Sequence, residues 1–188
     1  MTETFNEDYF LNGMSKLHLG CGKVYLHGWT NVDIFSSVQA DLYCDITRLP
    51  FALESFDLIY ASHVLEHVHR HMIVATLQHW REILKPGGIL RLAVPDFNAC
   101  VQWYVKTGDL PSLMDLLYGG PNYPKNSHTI IFDAGSLAES LTRAGFSFIR
   151  EWNWRKTEHA QYDDYSQAFK PDFNKYGLLM SLNIEAVK

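Results

Sequence analysis

The chain has 188 residues, enough for one substantial hydrophobic core and too few for two ordinary domains. Hydrophobic residues make up 47% and charged residues 20%, which excludes wholesale disorder, and the longest apolar runs fall far short of the roughly 18 residues of a membrane span. The net charge is −5 and no Lys/Arg run interrupts it, so neither a nucleic-acid backbone nor a membrane surface is the expected partner.

Residues 1–15 read as an N-terminal arm around Tyr9, Phe10 and Leu11, either a short packed helix or a frayed tail. Strand and helix signals then alternate. Lys16–Leu19 is a short strand ending in Gly20-Cys21-Gly22. Thr30–Ile34 is a second strand, Ala40–Cys44 a third, Phe56–Ala61 a fourth and Gly88–Val94 a fifth. The last two are nearly continuous apolar runs, the pattern of parallel strands buried on both faces. Between them Ile73, Leu77, Trp80 and Leu84 form one apolar stripe of an amphipathic helix, stopped at Lys85-Pro86-Gly87-Gly88. Ser136 and Glu139 predict the start of a second helix as a capping box, and Gly145 its end. Phe146–Trp154 and Leu178–Val187 read as two final strands, with Trp152 and Trp154 alternating on one face.

This order predicts a single α/β domain over 1–188: a three-layer Rossmann-like sheet, mainly parallel, with an antiparallel C-terminal edge strand. The segments 97–132 and 155–177 fit the pattern least and read as variable, acceptor-side insertions. In such sheets ligands bind beyond the carboxyl ends of the strands, at the topological switch point. Cys21, Cys44 and Cys100 match no zinc spacing and read as reduced thiols of a cytoplasmic protein.

The loops at those strand ends hold the candidate chemistry. Glycines 20 and 22 let the backbone turn sharply beside a ligand. A dinucleotide fingerprint would need a third glycine where Tyr25 stands, and Asp33 follows Gly20 by 13 positions rather than about 20. Asp33 could accept from both hydroxyls of a ribose or serve as a turn residue. Asp45 beside Ile46 could meet the edge and face of an adenine, although Asp41 and Asp45 could equally be surface turn residues.

Taken in order, Leu17-His18-Leu19-Gly20-Cys21-Gly22, Asn31-Val32-Asp33, Leu49-Pro50-Phe51 with Ser55-Phe56-Asp57-Leu58-Ile59-Tyr60, His63-Val64-Leu65-Glu66-His67 and Leu84-Lys85-Pro86-Gly87-Gly88 resemble a class I S-adenosylmethionine-dependent methyltransferase over residues 16–96. The resemblance implies S-adenosyl-L-methionine as cofactor. Gly20 and Gly22, with Leu19 and Cys21, would flank its methionine part. Asp33, with Ile34, would hold the ribose, Asp45 and Ile46 would bracket the adenine, and Ser62 and His63 would line the transfer region.

Transfer from a sulfonium asks mainly for orientation, and a general base only where the acceptor is an unactivated hydroxyl or protonated amine. Base candidates are His63, His67, Asp96 and His128, with His63, Asp96 and His128 taken as the catalytic set. His63 and His67 are spaced as a helical metal-binding pair, but Glu66 and His67 read more simply as residues that cap and orient a helix start, and no metal is assigned. His69 and His71 read as solvated. The loop Pro121–Thr129 around His128 could be a lid. Aromatics concentrate late, among them Trp103, Tyr104, Tyr118, Tyr123, Phe169 and Phe173; some belong to the core, while the tyrosines of 162–176 (Tyr162, Tyr165 and Tyr176) could cover an acceptor pocket or form a homodimer contact. The expected activity is methyl transfer to an oxygen or nitrogen of a small molecule or glycan. The competing readings are a catalytically silent binding or regulatory protein on the same fold, which intact Gly20, Gly22 and Asp33 argue against, and a nicotinamide-dependent oxidoreductase.

Overall fold

The computed structural model describes residues 13–120, 126–171 and 177–188. The expected arm residues Tyr9, Phe10 and Leu11, the tip of the expected lid, and Tyr123, Phe173 and Tyr176 lie outside them. Seven strands form one sheet: β1 (Lys16–Leu19), β2 (Thr30–Asp33), β3 (Leu42–Tyr43), β4 (Phe56–Ser62), β5 (Leu84–Pro95), β6 (Ser147–Glu151) and β9 (Ser181–Val187). Their order is β3-β2-β1-β4-β5-β9-β6. Every pairing from β3 to β5 is parallel, and β9 runs antiparallel to both β5 and β6. The mainly parallel sheet and its reversed C-terminal strand are as the sequence predicts; β9 takes the place one in from the edge, and β6 forms the rim. Strands β7 (Phe169–Lys170) and β8 (Leu178–Leu179) make a separate small hairpin pair.

Alternation along the strands explains the two faces. Ile59 and Ala61 of β4 point into the main core with Leu17, Leu19, Leu90, Leu92, Ile184 and Ala186. Two helices cover that face, α1 (Ile73–Ile83) and α4 (Ala134–Arg143). They bury Leu77, Trp80, Ile83, Leu137 and Leu141 completely. Each such aliphatic side chain contributes about 1.5–3 kcal/mol relative to exposure, which helices this short need, because propensity alone leaves them marginal. Leu58 and Tyr60 of β4 face the other way, into a second cluster with Leu26, Trp29, Ala93 and Trp152. A third cluster, Ala99, Cys100, Leu113 and Met180, seats α2 (Phe97–Thr107) and α3 (Met114–Tyr118).

Several local expectations are corrected. The stripe helix ends at Ile83, and Leu84 already pairs with Phe56. Lys85–Gly88 is then an irregular bulge inside β5, because the next pairing is Leu58 with Ile89. The third strand shrinks to Leu42–Tyr43. Helix α4 is capped by Asp133, not Ser136: Ser136 is the reciprocal partner in a capping box, its amide donating to Asp133 Oδ1 at 2.8 Å, while Glu139 faces solvent and pairs with Arg143. Trp152 and Trp154 lie past the end of β6, Trp154 opening a 3-10 turn, yet both pack into the second cluster. The last strand is broken at Met180, whose amide donates to Ala168. Glu185 of β9 fixes the register of its neighbours, pairing with Arg91 of β5 and Arg150 of β6.

Candidate functional site

The carboxyl ends of β1, β2 and β3 converge on one crevice. Gly20 and Gly22 both adopt left-handed φ, +61° and +54°. A Cβ at Gly20 would overlap Val64 Cγ2, so that glycine is dictated by packing against the turn after β4. A Cβ at Gly22 would meet nothing nearer than the Gly20 carbonyl at 3.9 Å; the space above it is open. The Gly22 amide donates to Oδ2 of Asp33 at 2.8 Å, and the Phe35 amide donates to Oδ1 at 2.8 Å. Asp33 is buried, but each carboxylate oxygen has a second lone pair to offer. Ile34, beside it, is 41% exposed, an apolar face next to a carboxylate.

The residue standing for the missing third glycine has a definite task. Tyr25 Oη donates to Asp41 Oδ1 at 2.7 Å, and Asp41 Oδ2 accepts from the Asn31 amide at 2.7 Å. Those bonds hold the Asp41 carboxyl below the usual range, the Asn31 amide first. Asp41 lies on the surface, as one of the two readings has it, and is a structural acceptor tying the irregular first crossover to β2. Asp45 caps the 3-10 turn Ile46–Arg48, accepting from the Thr47 amide at 2.9 Å, while the Ile46 carbonyl accepts from Trp80 Nε1 at 2.8 Å. Burial pushes the Cys21 thiol up to about 12, so it is no nucleophile.

Strand β4 ends at Ser62, whose Oγ donates to the Asp164 carbonyl at 2.6 Å. Tyr60, on the same strand, donates its hydroxyl to Asp164 Oδ2, and Asn183 Nδ2 donates to the Ser166 carbonyl at 2.8 Å. The aromatic segment is therefore fastened across the ends of β4 and β9. Tyr162 packs on the second cluster, whereas Tyr165 is 68% exposed with its ring 5.6 Å from that of His63.

His63 has φ +51°, uncommon for a residue with a side chain. Its Nε2 lies 3.1 Å from Ser181 Oγ and its Nδ1 3.5 Å from Glu66 Oε1. Burial, then the neighbouring His128 and His67, drive its pKa down to about 3. Glu66 does not cap a helix start. It sits in a 3-10 turn, Leu65–His67, is 1% exposed, and neither carboxylate oxygen has a hydrogen-bond partner among the described residues. Burial raises its carboxyl to about 8. The segment after residue 125 closes over it: Thr129 donates its amide to the Glu66 carbonyl and its hydroxyl to Val68, and His128 Nε2 lies 3.9 Å from Glu66 Oε1. His63 and His128 are thereby brought together. Asp96 is not part of that group: it caps α2, accepting from the Asn98 amide at 2.9 Å, with its carboxyl raised mainly by burial. His69 and His71 are exposed, as expected. Glu66 is the residue sequence reasoning missed; its one signal is an acid inside the apolar run Val64-Leu65-Glu66-His67-Val68.

Residues 17–92 match the family model described as a methyltransferase domain. That segment resembles a methyltransferase domain, and the solved structures below share its fold. A methyltransferase structure from Methanosarcina mazei is 18% identical with a TM-score of 0.60, the match covering 100% of this chain and 98% of that one. One from Thermotoga maritima is 18% identical, with 93% and 82% covered and a TM-score of 0.59. The Burkholderia thailandensis 1,6-didemethyltoxoflavin-N1-methyltransferase, solved with its substrate and S-adenosylhomocysteine, is 16% identical, with 97% and 74% covered and a TM-score of 0.57. No curated protein matches the sequence.

The residues at these strand ends suit a nucleoside cofactor such as S-adenosylmethionine: a carboxylate with lone pairs to spare, an exposed apolar residue and open space over Gly22 follow β1 and β2. No helix among the described residues is long and apolar enough to cross a membrane.

Proposed function

We propose that this methyltransferase methylates an oxygen or nitrogen of a small molecule or glycan. The observation that carries the reading is the carboxylate of Asp33, held in place by two main-chain amides with lone pairs to spare beside Gly22. Asp33, with Ile34, would hold the ribose hydroxyls, with Leu19, Gly20, Cys21 and Gly22 along the amino-acid tail, Asp45 and Ile46 around the adenine, and Ser62 and His63 toward the transfer region.

The bound cofactor supplies an electrophilic methyl on a sulfonium. The chain supplies alignment and a dry enclosure, which together can account for up to about 7–11 kcal/mol of barrier reduction in ideal cases. The fastened aromatic segment, with Tyr165 exposed near His63, offers a wall on which an acceptor ring or sugar face would stack. His63, Asp96 and His128 are the side chains we assign to acceptor binding and proton removal. The test is a screen of sugars and small hydroxylated or aminated compounds for S-adenosylhomocysteine release. Turnover of one such class supports the reading, and His63→Ala or Asp96→Asn should then lower it with cofactor affinity kept. Cofactor binding without turnover on any class would favour a binding or regulatory protein.

A further inference from the structure

The turn after β4 and the segment around His128 form a cluster that cofactor binding does not require. Glu66, His67 and His128 each offer a ligand atom, and these atoms lie within 4.8 Å of one another. Hydrogen bonding fixes where the ring protons are. His67 Nδ1 faces the Ser127 carbonyl at 3.3 Å, and His128 Nδ1 faces the Leu116 carbonyl at 3.0 Å. A carbonyl only accepts, so each Nδ1 carries the hydrogen and each neutral ring keeps a lone pair on Nε2. His63 completes the picture from the other side. Ser181 Oγ donates to Asn183 Oδ1 at 2.9 Å, so it accepts from His63 Nε2, and His63 Nδ1 lies 3.5 Å from Glu66 Oε1.

His67 and His128 thus flank a fully buried carboxyl group whose two oxygens have no hydrogen-bond partner among the described residues. Polar groups left without partners in the interior are costly, and a cation would give the Glu66 oxygens and both rings a partner. The geometry points to a site for a divalent first-row transition ion, bound by Glu66, His67 and His128. The 3.9 Å between His128 Nε2 and Glu66 Oε1 is spanned by two bonds of about 2.0–2.2 Å. Two imidazoles and a carboxylate favour Zn²⁺ or Co²⁺ over Mg²⁺, which prefers an all-oxygen shell. Carbonyl-held Nδ1 hydrogens are the outer support that ligating histidines ordinarily have. This departs from the sequence expectation of no metal, which the i, i+4 histidines alone could not overturn: His128 lies 61 positions beyond His67 and is placed only by the fold.

Val64, between His63 and Glu66, packs on Gly20, so the site adjoins the cofactor loop. An open coordination position there could hold an acceptor oxygen, a role that rests on the proposed function, whereas the site itself does not.

The test uses chelator-stripped protein without cofactor or acceptor, titrated calorimetrically with Zn²⁺ and followed by visible absorption with Co²⁺. The expected result is one saturable ion per chain, Co²⁺ bands of a nitrogen and oxygen site, and a raised Tm. His67→Ala, His128→Ala and Glu66→Gln should each lose more than the roughly 10–100-fold in affinity that removing an outer partner alone removes. His69→Ala/His71→Ala should bind as before. Absence of saturable binding in the native protein would overturn the site, as would binding that survives the three ligand substitutions and disappears with the surface pair. Neither result touches S-adenosylmethionine binding, which is measured separately.

Discussion

The amide of Gly22 and the carboxylate of Asp33 are joined at 2.8 Å, which makes the ends of β1 and β2 a single rigid unit. The ligand loop is thereby preorganised: the carboxylate is oriented by the loop it would share a ligand with. Asp33→Asn should keep the fold and weaken S-adenosylmethionine binding by about 1.5–3 kcal/mol, the worth of hydrogen bonds to a charged group. Calorimetry on the two proteins checks it. Equal affinities would place the ribose elsewhere.

Gly20→Ala should destabilise for two separable reasons, a left-handed φ and overlap with Val64. The backbone component is about 1–2 kcal/mol. Shortening the neighbour should relieve only the overlap, so the Gly20→Ala/Val64→Ala pair should be more stable than the two single losses added together. Denaturant unfolding of all four proteins measures this, and strict additivity would deny the contact.

Tyr60→Phe should loosen the segment that covers β4. The hydroxyl is buried and donates to the Asp164 carboxylate, so its removal should reduce stability by about 1.5–3 kcal/mol. Hydrogen exchange at residues 162–168 should accelerate more than exchange in α1. Uniform acceleration would mean the segment is held by something else.

Stability should fall on acidification because of His159. Its ring lies 4.2 Å from that of Tyr60, 3% exposed, with no hydrogen-bond partner for either nitrogen among the described residues. Burial holds its pKa at about 4, against Asp164 pulling it up and Arg91, His18 and Lys16 pushing it down. The native protein therefore keeps the ring neutral while the unfolded chain protonates below about 6.5. The contribution is fully present above that pH and is lost between about 6.5 and 4, amounting to roughly 3 kcal/mol at most. His18, also lowered by burial, acts in the same direction. Unfolding followed from pH 7.5 to 5 should show the decline, and His159→Phe should flatten it; an unchanged slope in the variant would assign the effect elsewhere.

The sheet, and with it the strand ends that carry the proposed cofactor residues, was legible in the sequence because its signals are local. Strands buried on both faces leave apolar runs at β4 and β5, and Gly20, Gly22 and Asp33 sit at strand ends fixed by those runs. The capping of α4 was misread because Asp133 and Ser136 both suit a cap, and only backbone geometry decides which residue leads. The isolation of Glu66 was invisible for a different reason. Its neighbours in the chain make an ordinary turn, and the carboxylate loses solvent only when residues 126–130 close over it from a remote part of the sequence. The same holds for Asp164, an acid among tyrosines in the sequence, whose burial comes from contacts with Tyr60 and Ser62 across the fold.

Calorimetric titration of the purified protein with S-adenosylmethionine, S-adenosylhomocysteine and NAD tests the central claim most directly. The crevice described here predicts saturable micromolar binding of the first two and none of NAD. Binding of NAD alone, or of no nucleoside ligand at all, would contradict it.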